Sequence, residues 1–208
     1  MRILITLGLL SLINVANAQS SFARFSFGYG MPFGRQKIGE DYTYYSHSNQ
    51  EVWKSVFGSL GQGLYVSAGY GRQVKGPYGW DIEASYMGGF KAELEINDEG
   101  IATGTLDYDG KGFVITPSFT ISAYDDRKIS PYARLGATIG FFTIEYSENF
   151  RLMESSNYSY AEKYSGGMSI GWRGTVGFTV KSAKRTQFFS ELNFTTQNYS
   201  PTKGEITK

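Results

Sequence analysis

The chain contains no cysteine and a single histidine, and beyond its first residues it has no long apolar run. Without cysteine it can form neither disulfides nor thiolate metal sites, so the fold must rest on backbone pairing and side-chain packing. His47 is the one imidazole available as a catalytic base. Charge of one sign is also missing: 20 basic residues stand against 19 acidic ones, a net charge of +1. A chain this neutral lacks the basic surface that nucleic acid requires, so no nucleic acid is expected as a partner. No glycine-rich phosphate loop or dinucleotide fingerprint lies between a strand and a helix, and no cofactor is expected.

Residues 1–18 read as an export signal. Met1-Arg2 is a short positive region, Ile3 to Val15 an apolar stretch, and Ala16-Asn17-Ala18 a small-x-small cleavage site before Gln19. Cleavage would leave residues 19–208 as one domain. No later segment has the ~20 apolar residues of a membrane-spanning helix, so a membrane-embedded mature chain could cross only as a closed barrel of strands. The 26 glycines, 16 tyrosines and 15 phenylalanines suit such a barrel, with small residues inside and aromatic belts at the two interfaces.

Seven segments alternate apolar and polar residues with a period of two, the mark of strands with one apolar face. They run over 22–31, 63–73, 80–86, 113–121, 132–141, 168–180 and 188–195. In the fifth, Ala133, Leu135, Ala137, Ile139 and Phe141 alternate with Tyr132, Arg134, Gly136 and Thr138. Pro117 falls inside the fourth, where the missing donor calls for a bulge.

Short and long connections follow one another in rotation. Residues 74–78, 123–128 and 182–186 are tight and polar; 32–62, 87–111 and 143–167 are long. Short periplasmic turns and long extracellular loops are the asymmetry of an outer-membrane barrel, and the N-terminus would then be periplasmic. The alternation in the third segment carries on in phase from Trp80 to Ile96, which predicts a hairpin projecting beyond the membrane. The third long connection repeats the pattern with Phe142, Ile144 and Tyr146, after a phase break at Phe141-Phe142. After the seventh strand the polar residues 198–208 open a further loop, so the closing strand of an eight-stranded barrel is expected to be missing from this chain.

One face of the strands collects three positive and three negative side chains: Arg24, Arg134 and Arg173 against Asp81, Glu83 and Glu191. In a barrel of eight strands, whose interior holds only its own side chains, these are expected to form a structural plug of ion pairs; a gate or narrow pore is the functional alternative. His47, between Ser46 and Ser48 in an irregular polar stretch, is expected to be an exposed loop residue and not the base of a lipid-modifying hydrolase. Asp107, Asp109, Asp98 and Glu99 lie near turn residues without the ligand density of a calcium loop, so no metal is expected. Tyr42, Tyr44, Tyr45, Tyr146, Tyr158, Tyr160 and Tyr164 enrich the long connections in aromatic contact groups.

At the level of architecture, with segments such as Gly61-Gln62-Gly63-Leu64-Tyr65-Val66-Ser67-Ala68-Gly69-Tyr70-Gly71 leading into a tight turn, the chain from Gln19 to about Gln197 resembles the small outer-membrane β-barrel family typified by OmpA and OmpX. The resemblance implies an all-β, antiparallel, up-and-down barrel of eight strands in the Gram-negative outer membrane, monomeric and surrounded by lipid. It implies non-enzymatic work in envelope integrity, adhesion or contact with extracellular or host molecules. A soluble, lipocalin-like barrel that binds an apolar ligand is the alternative, and it would turn its apolar faces inward.

Overall fold

The computed structural model describes residues 3–11, 15–17, 21–33, 36–45, 50–58, 62–98, 102–123, 128–152, 157–183 and 186–206. Among these the chain is all strand. In order the strands are β1 (Ile3–Ser11), β2 (Val15–Asn17), β3 (Ser21–Phe33), β4 (Gln36–Tyr45), β5 (Gln50–Gly58), β6 (Gly63–Lys75), β7 (Tyr78–Asp98), β8 (Ala102–Ser122), β9 (Ile129–Leu152), β10 (Asn157–Ser165), β11 (Ser169–Ala183), β12 (Thr186–Asn198) and β13 (Lys203–Ile206).

All belong to one sheet, in which the main ladders are antiparallel. β3 pairs with β6, β6 with β7, β7 with β8, β8 with β9, β9 with β11 and β11 with β12. The seven segments of period-two alternation supply these seven strands. β1 pairs with both outer members of the series, its Leu7 lying opposite Leu192 of β12 and Tyr29 of β3.

The long connections are themselves largely strand. β7 and β8 form one hairpin, each 21 residues long, and β9 runs for 24. β9 pairs with β11 along its first half and with β10 along its second, and β13 adds to β10. β4 and β5 form a further hairpin whose Tyr42 lies parallel to Ile96 at the tip of β7. Irregular alternation over 32–62 hid that hairpin from the sequence pattern.

Tight turns gather at the opposite end. Gly76 takes a φ of 59°, a left-handed conformation that glycine adopts without penalty, and the amide of Ser122 donates to the Pro77 carbonyl at 2.8 Å. Lys181 N–H donates to the Lys128 carbonyl at 3.0 Å, so that neighbouring turns are tied together.

One expectation about register is corrected, and one feature is added. The sequence alternation keeps its phase from Trp80 to Ile96, but the β7–β8 register shifts between Gly88 and Phe90, which sits opposite Gly110. The extra residue, Gly89, makes a β-bulge at the Gly88-Gly89 pair. Pro117 was expected to force a bulge and does not. It pairs with Ile82 in unbroken register, and on the β9 side the ladder resumes in step from Ile115↔Ile139 to Ser118↔Gly136. The missing donor costs one local interruption and no shift.

Close strand packing fixes Gly171, where an added Cβ would collide with the Thr196 carbonyl of β12. Gly171→Ala is therefore expected to lower stability by about 1–3 kcal/mol, the usual cost of overpacking, read as a lower urea midpoint.

Candidate functional site: a buried network of arginines and carboxylates

Burial in this sheet is inverted relative to a water-soluble protein. The apolar face is exposed: Leu135 is 63% accessible, and Phe25, Ile82, Phe119, Ile170 and Val176 are likewise open. The polar face is buried, with Glu83 wholly inaccessible. Strict alternation places charged and apolar residues back to back on one strand, so burying either set exposes the other.

Arg24, Asp81, Glu83, Arg134, Arg173 and Glu191, drawn from β3, β7, β9, β11 and β12, come together on that buried face. Arg134 is the hub. Its Nη1 lies 3.1 Å from Asp81 Oδ2 and 3.3 Å from Glu83 Oε2, and its Nη2 lies 2.9 and 2.8 Å from the two oxygens of Glu191. Arg173 Nη1 donates to Glu83 Oε1 at 2.6 Å, and Arg24 bridges Asp81, at 3.4 Å, and Glu191. Three cations and three anions alternate in a single network, so no charge is left unpaired. An isolated ion at this depth would carry a desolvation penalty of several kcal/mol.

Four further residues complete the network. Tyr132 donates its hydroxyl to Glu191 at 2.5 Å, and Thr120 donates to Asp81 at 3.4 Å. Arg173 Nε donates to Thr195 at 3.2 Å. Phe189 is buried with its ring centroid 4.4 Å beneath the Arg24 guanidinium, a cation–π contact. Tyr132, Thr120 and Thr195 share the period-two parity of the charged residues, so position along the strand was the available signal. Phe189 was hidden because an aromatic residue on a polar face looks like an exception until its cation is seen.

Toward the long hairpins the buried face turns apolar. Tyr65, Met87, Val114 and Phe142 pack together, with Tyr199 against them. The Tyr199 hydroxyl donates to the Phe142 carbonyl at 2.7 Å. The phase break at Phe141-Phe142 thus leaves the strand unbroken and changes which face is apolar: Phe141 is exposed and Phe142 buried.

The network has no exposed nucleophile and no base beside one. His47 lies outside the described residues. Among the described residues no group of three or more histidine or acidic side chains is placed to hold a metal ion. No family model matches the chain, and no curated protein matches it.

Proposed function

We propose that β3, β6, β7, β8, β9, β11 and β12 are seven strands of an eight-stranded outer-membrane β-barrel without catalytic activity, serving envelope structure or contact at the cell surface through its projecting hairpins. The inverted burial carries this reading. Among the described residues 28 large hydrophobic side chains are exposed and five are buried. A protein in water would have to hide the larger set, whereas lipid solvates it.

Dimensions support the same reading. Thirteen residues, the length of β3, β6 and β12, rise roughly 30 Å when tilted ~45°, enough for a ~25 Å apolar band. The 21 residues of β7 rise roughly 50 Å and overrun it. A barrel in lipid needs a strand between β3 and β12, because an open edge there leaves backbone groups unsatisfied; that residues 3–11 pair with both supports this reading, although the export signal containing them is expected to be removed. In this barrel the six-residue ion network plugs the interior. A soluble ligand-binding barrel is disfavoured because its cavity would be lined by these ion pairs and its exterior by phenylalanine and leucine.

Protease treatment of intact expressing cells, with fragments mapped by mass spectrometry, tests both location and orientation. Cleavage confined to residues 32–62, 87–111 and 143–167 is the expected result. Recovery of the uncut protein in the soluble periplasmic fraction would reject the barrel.

A further inference from the structure

Beyond the apolar belt, the sheet built from β8, β9 and β10 is two-faced in a second way. On one face Tyr108 lies opposite Tyr146, and Tyr160 opposite Glu148. The Tyr108 and Tyr146 rings are 4.9 Å apart, and the Tyr158 and Tyr160 rings stack at 6.5 Å. Glu162 accepts the hydroxyls of Tyr160 at 3.2 Å and Tyr164 at 2.7 Å, and Glu148 accepts that of Tyr146. Hydrogen bonding to Glu162 holds the Tyr164 hydroxyl above its usual range, so it stays a neutral donor. These side chains are partly to half exposed.

Arg134 shares this face of β9 but lies lower on the strand, in the buried ion network; farther out, every base described on β8, β9, β10 and β13 sits on the opposite face. Asp109, Glu145 and Lys163 are aligned there, as are Lys111, Arg151 and Lys203 by parity. The outer part of the aromatic face therefore carries two carboxylates, five tyrosines and, among the described residues, no cation. A carboxylate has about four acceptor positions, and Glu162 uses two of them on tyrosines. The remaining lone pairs and the electron-rich ring faces both favour a positive ligand.

We infer that this aromatic, carboxylate-bearing face binds the lysine and arginine side chains of a basic, extended peptide. The inference rests on the barrel reading, which leaves these hairpins in water outside the membrane. Charge complementarity selects this occupant over a neutral sugar, which would stack on the tyrosines and need neither carboxylate.

Calorimetric titration of hexalysine into the full chain, folded in a non-ionic detergent at low ionic strength, tests the inference. Folding is checked on the same sample by heat-modifiable migration. Glu148→Gln/Glu162→Gln keeps acceptors for the tyrosines and removes both charges; it should weaken binding about tenfold or more, in keeping with desolvated cation contacts. Asp107→Asn/Asp109→Asn removes two charges from the opposite face and should change affinity less than about threefold, as for screened charges. Tyr108→Leu/Tyr160→Leu should weaken binding while leaving the charge intact. Equal losses from the two charge variants, no binding by folded protein, or tighter binding of a neutral hexasaccharide would each overturn the inference and leave the barrel standing. A water-soluble chain without a heat-modifiable band would overturn both.

Discussion

Replacing Arg134 with alanine is expected to destabilise the folded protein by about 3–5 kcal/mol, the cost of breaking a buried ion pair by removing one partner. The effect is large because Arg134 serves Asp81, Glu83 and Glu191 at once, and its loss leaves three buried carboxylates with only Arg24 and Arg173. Urea unfolding of protein refolded into lipid vesicles would read the loss. Lys111 provides the control: its 3.1 Å pair with Glu145 is open to solvent, and Lys111→Ala should cost less than about 1 kcal/mol. The same Arg134 variant in a planar bilayer separates plug from gate. The plug reading expects no large stable conductance, because Tyr132, Thr120 and the remaining ion pairs still fill the interior. A large stable conductance would make the network a gate.

The second large effect is expected on the other face. Leu135 lies near the middle of the apolar stretch from Ala133 to Phe141 and is exposed. In water an exposed leucine tolerates lysine with a change within about 0.5 kcal/mol. Facing the middle of a bilayer, Leu135→Lys should cost about 2–4 kcal/mol. Asn149, on the same strand beyond the apolar belt, is also exposed, and Asn149→Lys should cost almost nothing. Two substitutions on one strand, both at exposed positions, thus differ by several kcal/mol only if the first faces lipid. The readout is again the unfolding free energy in vesicles.

Much of this arrangement was legible because a strand has a period of two, and parity alone sorts side chains to faces. Arg24, Arg134 and Arg173 could be grouped with Asp81, Glu83 and Glu191 before any coordinates, since each occupies the polar parity of its strand. Parity does not give height along the strands. It therefore could not separate the ion network from the Tyr65–Phe142 layer beyond it, or show that Arg134 is the hub. Register changes were equally invisible. The bulge at Gly88-Gly89 shifts the register of β7 against β8 without disturbing the sequence alternation, because an extra glycine in one strand changes only its alignment with the next. At Pro117 the sequence argued for a bulge, but the ladder absorbs a single lost donor locally. The β4–β5 hairpin was missed for a third reason: Tyr42, Thr43, Tyr44 and Tyr45 lack clean alternation, and its strands form by pairing with each other and with β7.

The claim on which the rest depends is that the exposed apolar face is solvated by lipid. Trp80 and Trp172 lie on that face, 43% and 40% accessible, and Trp53 is the third and last tryptophan of the chain. A Trp53→Phe variant refolded into vesicles of acyl-chain-brominated lipid gives a direct reading, because bromine quenches tryptophan only on contact. Strong quenching relative to unbrominated vesicles is the result predicted for both remaining tryptophans. Unquenched fluorescence from folded protein would contradict the account, since those side chains would then face water or the protein's own interior.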